Sequence, residues 1–147
     1  MFTQLYLSPI GQLLLTADDT ALVALHFCDK GRSCFLSDDA AFTDHAILQA
    51  AKQWLDVYFS GQEPNFMPPL RPVGTDFQQE VWQLLRAIPY GKTTTYGEIA
   101  AALAARHGIP RMSAQAVGGA VGRNPIPIFI PCHRVVGSGG KLTGYSG

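Results

Sequence analysis

Residues 93–137 read TTTYGEIAAALAARHGIPRMSAQAVGGAVGRNPIPIFIPCHRVVG, and this stretch decides the fold of the second half of the chain. Thr95 stands where a hydroxyl caps a helix, and the helical pattern then runs through Ala105. A second, shorter helix is expected over residues 112–121. Ser113, Ala114, Ala116, Gly118, Gly119 and Ala120 make it a poor helix by propensity. Side chains this small let a backbone come very near something, either another helix or the wall of a DNA groove. Helix, turn, helix in this order is the grammar of a helix-turn-helix unit.

The end of the stretch, NPIPIFIPCHRVVG, is a different kind of segment. Pro125, Pro127 and Pro131 lack an N–H, which makes a central strand a poor reading and an extended edge or lining segment a better one. Cys132 therefore sits in a stiff, mostly apolar wall. An inert buried cysteine is the usual fate of such a thiol. Three neighbours point elsewhere: His133 is adjacent, Arg134 adds positive charge that favours a thiolate, and cysteine with histidine is a recurring nucleophile pair. Neighbours on an extended strand face opposite ways, so His133 reaches the sulfur only through a bend or a relaying water.

Outward from this core, TDFQQEVWQLLRAIPYG places Phe77, Val81, Leu84, Leu85 and Ile88 on one helical face, opened by Thr75 and closed by Pro89 and Gly91. The preceding GQEPNFMPPLRPVG holds four prolines and reads as a linker. Before it, DHAILQAAKQWLDVYFSG gives a helix starting near Asp44 and stopping at Gly61. The N-terminal residues give a small antiparallel meander with Leu5, Leu7, Leu13, Leu15, Leu22, Val23 and Leu25 as its apolar pattern. The expected class is α+β: a sheet-plus-helix domain over residues 1–62, a linker over 63–74, and an α-helical, winged-helix-like domain with a helix-turn-helix over 75–147.

The 147 residues are 47% apolar and 15% charged, a globular rather than disordered composition. No apolar run reaches membrane-spanning length, and no basic leader opens the chain. Three cysteines with no close pairing argue against a disulfide scaffold and for a cytoplasmic setting. The net charge is zero, but the halves differ. Residues 1–70 carry three Lys/Arg against eight Asp/Glu, and residues 71–147 carry eight against three. An acidic domain joined to one that meets a polyanion follows from that asymmetry.

PCHRVVG, with RNPIPIFI before it and GYSG after it, resembles the active-site segment of the O6-alkylguanine-DNA alkyltransferases, the methylated-DNA–protein-cysteine methyltransferases. FQQEVWQLLRAIPYGKTTTYGEIA and AVGGAVGRNP match that family's helices in order and spacing. The resemblance covers nearly all of residues 75–147 and, more loosely, the N-terminal half. It implies a single-use repair reaction on double-stranded DNA containing O6-alkylguanine, with a monomeric protein, no cofactor and no membrane partner. The lesion base swings out of the duplex, and the Cys132 thiolate takes the alkyl group. Tyr96 holds the family's proton-donor place, His133 acts as a base through water, and Asn124 matches the hinge asparagine between recognition helix and thiol. Trp82, Val135, Tyr145 and Ser146 fall where the family lines the base pocket. Ser113, Ala114, Gln115, Ala116, Gly118, Arg123 and Arg134 fall on its DNA side.

The sequence departs from the family at Gln115, where typical members carry an arginine that enters the base stack. Glutamine lacks the planar cation, so weaker base flipping and weaker DNA affinity are expected; Arg111, one helical turn earlier on a neighbouring position, is expected to contact phosphate rather than replace the wedge. Family members also continue past GYSGG with a helix whose glutamate orients the histidine, and the sequence reaches Gly147 before any such residue. Two rivals stand beside transfer: a lesion-recognition protein without transfer activity, disfavoured by the presence of Cys132, and a thiol hydrolase, disfavoured by the lack of an oxyanion-hole glycine before the cysteine. His26, Cys28 and Cys34 lack standard zinc spacing and read as ordinary residues, with no metal site expected. His45 and His107 read as surface residues without partners.

Overall fold

The computed structural model describes residues 1–28 and 45–136. The chain divides into two compact units, Met1–Pro72 and Val73–Gly147.

The first unit is built on strands β1 (Phe2–Ser8), β2 (Gly11–Ala17) and β3 (Leu22–Cys28), an antiparallel meander in that order. Helix α1 (Ala46–Phe59) lays Leu48, Ala51, Trp54 and Leu55 inward. The inward residues of β2 are Leu13, Leu15 and Ala17, all fully buried. Register decides which residues of β1 join them. Tyr6 lies opposite Leu13, whereas Leu5 lies opposite Leu14 and Leu7 opposite Gln12. Because side chains alternate along a strand, Leu5 and Leu7 belong to the outer face, and Leu7 is 79% exposed. The expected leucine pattern is corrected there: Tyr6 takes the inward place, its hydroxyl donating to Asp56 of α1 at 2.6 Å.

Two further expectations change in this unit. His45 is the N-cap of α1, its Nδ1 accepting from the Ile47 N–H at 3.2 Å, with its ring 4.5 Å from that of Phe2. Cys28, read as an ordinary thiol, is disulfide-bonded. Part of the proline-rich stretch is structural: the Leu22 N–H donates to the Pro69 carbonyl and the Arg71 N–H to the Leu22 carbonyl, both at 2.8 Å. Arg71 also pairs with Asp18 at 2.8 Å and donates to Thr20. Cys34, and the expected helix start at Asp44, lie outside the described residues.

In the second unit, helix α2 (Asp76–Arg86) opens with a capping box in which Thr75 and Gln78 each accept the other's backbone N–H. A turn follows, its Lys92 N–H donating to the Pro89 carbonyl at 3.0 Å with Gly91 at φ +77°. That left-handed position suits glycine. Strand β4 (Thr94–Thr95) then leads into helix α3 (Tyr96–His107), where Thr95 accepts the Glu98 N–H at 3.0 Å. Helix α4 (Ala114–Gly122) is capped by Ser113, so α3 and α4 form the helix-turn-helix pair. Val81, Trp82, Leu85, Leu103, Val117, Ala120 and Val121 make the core between the three helices. His107 has a partner after all: its Nε2 sits 2.9 Å from Glu80, bridging α3 to α2.

Candidate alkyl-acceptor site

The approach to Cys132 is set by a tight turn. The Ile130 N–H donates to the Ile126 carbonyl at 2.9 Å, and Ile128 inside this turn has φ +74°. A β-branched residue is strained there, by about 1–3 kcal/mol, and its burial with Phe129 and Ile130 holds it in place. After Pro131 the chain does not continue extended. Cys132–Arg134 form a single 3₁₀ turn, and β5 (Val135–Val136) then pairs in parallel with β4, Thr94 against Val135. The bend corrects the extended wall expected from the prolines: consecutive side chains of a 3₁₀ turn do not point to opposite faces.

Asn124 organises this segment. Its Nδ2 donates to the Ile130 carbonyl at 2.7 Å, and its Oδ1 accepts the Ile126 N–H at 2.9 Å. Its amide also hydrogen-bonds the Cys132 sulfur. One side chain therefore ties the end of α4, the strained turn and the thiol together.

The thiol is 6% exposed. Burial raises its pKa above the ordinary cysteine value, and hydrogen bonds from Asn124 and from the Cys132 and His133 backbone oppose that rise. The expectation that Arg134 promotes the thiolate is corrected accordingly: burial dominates, so the resting sulfur carries its proton. His133, half-buried, has its pKa lowered, first by burial and second by the Arg134 charge. It is thus neutral near pH 7, the form that accepts a proton. Tyr96, the first residue of α3, is buried, and its pKa is raised by that burial and by the charge of a Cys132 thiolate. The phenol and the sulfur therefore lie within electrostatic reach of each other.

The remaining candidates separate into three places. Ser113, Ala114, Gln115, Ala116 and Arg123 are exposed along α4, as is Arg111 ahead of it. Gly118 is half-buried on the side of α4 that faces α3; a Cβ there would stand 3.8 Å from the Tyr96 ring, an ordinary contact distance. Trp82 is 1% exposed, its indole N–H donating to the Ala120 carbonyl at 2.9 Å. It is a core strut between α2 and α4, and Val135 is fully buried beside β4. Arg134, half-buried, turns onto the chain itself: its Nη1 donates to the Ile88 carbonyl at 2.9 Å and its guanidinium lies 5.5 Å from the Tyr90 ring centroid. Tyr145 and Ser146 lie outside the described residues. Among the described residues no His/Cys/Asp/Glu group could hold a metal.

With this geometry in hand, comparison with known families decides the identity. The model of the 6-O-methylguanine DNA methyltransferase DNA-binding domain matches residues 76–147, and that of the same family's ribonuclease-like domain matches residues 1–72. The chain belongs to the 6-O-methylguanine DNA methyltransferase family. Within it, a methylated-DNA–protein-cysteine methyltransferase from Methanosarcina acetivorans is 43% identical over 146 residues, covering 99% of this chain and 90% of that protein. The constitutive enzyme of that name from Bacillus subtilis is 41% identical over 143 residues, covering 95% and 83%. A crystal structure of the Mycobacterium tuberculosis family member OGT in complex with DNA is similar with a TM-score of 0.78 and 40% identity, covering 99% of this chain and 84% of that one. The α+β class, with its N-terminal sheet domain and helical C-terminal domain, is that of these methyltransferases. No helix among the described residues is long and apolar enough to cross a membrane.

The site also contains residues that sequence reasoning missed. Ile126 and Ile130 serve through their backbone alone, which no side-chain pattern signals. Ile88, read as the last apolar residue of a helical face, and Tyr90, read only as part of its end, receive Arg134 from more than 40 residues away.

Proposed function

We propose that this protein repairs double-stranded DNA by taking the alkyl group of O6-alkylguanine onto Cys132, once per molecule. The supporting observation is the buried Cys132 thiol, hydrogen-bonded by Asn124, beside a neutral His133 and a protonated Tyr96 at the start of a helix-turn-helix. His133 takes the thiol proton through a water. The sulfur then attacks the alkyl carbon, an S–C bond forms, and the C–O6 bond breaks. The electron pair leaves on guanine, whose developing anion Tyr96 protonates. The product is a thioether, whose S–C bond is far too strong for the thiol exchange chemistry of a cysteine to reverse, so turnover stops at one. In this reading the protein acts in the cytoplasm as a monomer. Exposed Ser113, Ala114 and Ala116 face the groove, their small side chains allowing close backbone approach, with Gln115 among them at the base stack. DNA carrying labelled O6-methylguanine tests this: one equivalent of label should move to the protein, and none to Cys132→Ser. Lesion binding without label transfer would favour a recognition protein instead.

Two predictions follow from particular groups. Gln115→Arg supplies a planar cation at an exposed position of α4 and is expected to raise the single-turnover rate on duplex DNA about tenfold, with tighter binding. An unchanged rate contradicts the assignment of Gln115 to base flipping. For pH, the reactive form has His133 unprotonated and its pKa is lowered from 6.5. The rate should therefore hold as pH falls through 6.5 and decline only below it. A pH–rate profile whose acid limb has its midpoint above 6.5 contradicts the role of His133 as base.

A further inference from the structure

We infer that Arg134 is a positioning residue for the transfer reaction, gripping the turn that delivers Tyr96 to Cys132. The inference rests on the transfer reading above. Arg134 ends the 3₁₀ turn that begins with Cys132. Its side chain crosses to a different part of the chain, where it meets two successive features of one loop. The guanidinium donates to the Ile88 carbonyl at 2.9 Å and covers the Tyr90 ring at 5.5 Å. Ile88 precedes the Pro89–Lys92 turn and Tyr90 lies within it. Only Thr93 separates that turn from β4, and β4 runs straight into the Thr95 cap and Tyr96.

Among the described residues, the thiol turn is also joined to the start of α3 by the parallel pair of β4 and β5, two residues on each strand. So short a parallel ladder is weak by itself. The arginine adds a charge-assisted hydrogen bond and a cation–π contact on the same loop, both with the planar geometry that guanidinium favours. Cys132 and Tyr96 are thereby held from two directions: Asn124 fixes the sulfur from the end of α4, and Arg134 fixes the phenol's approach from the end of α2. Proton donation to the leaving base needs that registry, because a displacement of about 1 Å at a reacting group lowers rates by as much as 100-fold.

The alternative role, contact with DNA phosphate, makes a different prediction, so the test separates rate from affinity. Single-turnover transfer is followed at increasing lesion DNA for the wild type, Arg134→Ala, Arg134→Lys and Tyr90→Leu, with DNA affinity measured on the Cys132→Ser background. Arg134→Ala should lower the saturating rate about 10- to 100-fold with affinity within twofold. Arg134→Lys, which keeps a donor for the Ile88 carbonyl, should recover much of that loss. Tyr90→Leu should lower the same rate by a smaller factor, and reports the effect even where Arg134→Ala folds poorly. Saturating rates within twofold of wild type in all three variants overturn the inference, as does a loss confined to affinity. A wild-type protein that transfers nothing refutes the transfer reading itself.

Discussion

Asn124→Ala is expected to lower the transfer rate about 100-fold while leaving Cys132 in place. The asparagine makes three separate connections: to the Ile130 carbonyl, to the Ile126 N–H and to the Cys132 sulfur. Losing the third removes one of the hydrogen bonds that oppose the burial-driven rise of the thiol pKa, so the thiolate becomes harder to form. A hydrogen bond to a charged group contributes about 1.5–3 kcal/mol, which alone accounts for a factor of roughly 10 to 100. The other two connections set where the sulfur sits. Without them the Ile126 N–H loses its partner in a buried segment, the Ile130 carbonyl keeps only the Cys132 N–H, and the strained Ile128 loses part of what holds it. Single-turnover kinetics at several pH values checks this, with the deficit shrinking as pH rises toward that of the free thiolate. A rate within threefold of wild type at neutral pH would falsify the role.

Gly74→Ala is expected to destabilise the second unit by about 3 kcal/mol although Gly74 lies far in sequence from any chemistry. A Cβ there would stand 2.7 Å from Trp82 Cζ3 and 2.6 Å from Gln78 Oε1. Neither neighbour yields easily. Trp82 is anchored by its hydrogen bond to Ala120, and Gln78 Oε1 is accepting the Thr75 N–H in the capping box. Moving the ring disturbs the contact of α2 with α4; moving the glutamine loses a helix cap worth about 1 kcal/mol. Urea unfolding followed by circular dichroism checks it: the midpoint of the second unit should fall, and an unchanged midpoint contradicts the packing described.

Much of the second unit was legible from local chemistry. Thr75 and Thr95 cap their helices at the places their hydroxyls suggested, whereas Ser113, expected inside a helix from residue 112, is instead the cap of α4. Local signals failed where long-range geometry decides. Leu5 and Leu7 look as apolar as Leu13, and only the strand register turns them outward. His107 meets Glu80 across 27 residues, and Arg134 meets Ile88 across 46. No window of sequence contains either pair. The prolines before Cys132 argued correctly against a central strand but could not reveal the 3₁₀ bend. Proximity of histidine and arginine suggested an activated thiol; burial, which sequence shows poorly, reverses the sign of that shift. Trp82 illustrates the same limit, since pocket wall and core strut have one hydrophobic signature.

The central claim is that Cys132 is the acceptor. Incubating the protein with an equal amount of duplex DNA bearing one O6-methylguanine, then measuring the mass of the peptide that contains Cys132, tests it most directly. A gain of one methylene on that peptide is expected in nearly every molecule, with fragmentation placing it on Cys132. A Cys132 peptide of unchanged mass while the lesion is bound, or a methyl group found on another residue, would contradict it.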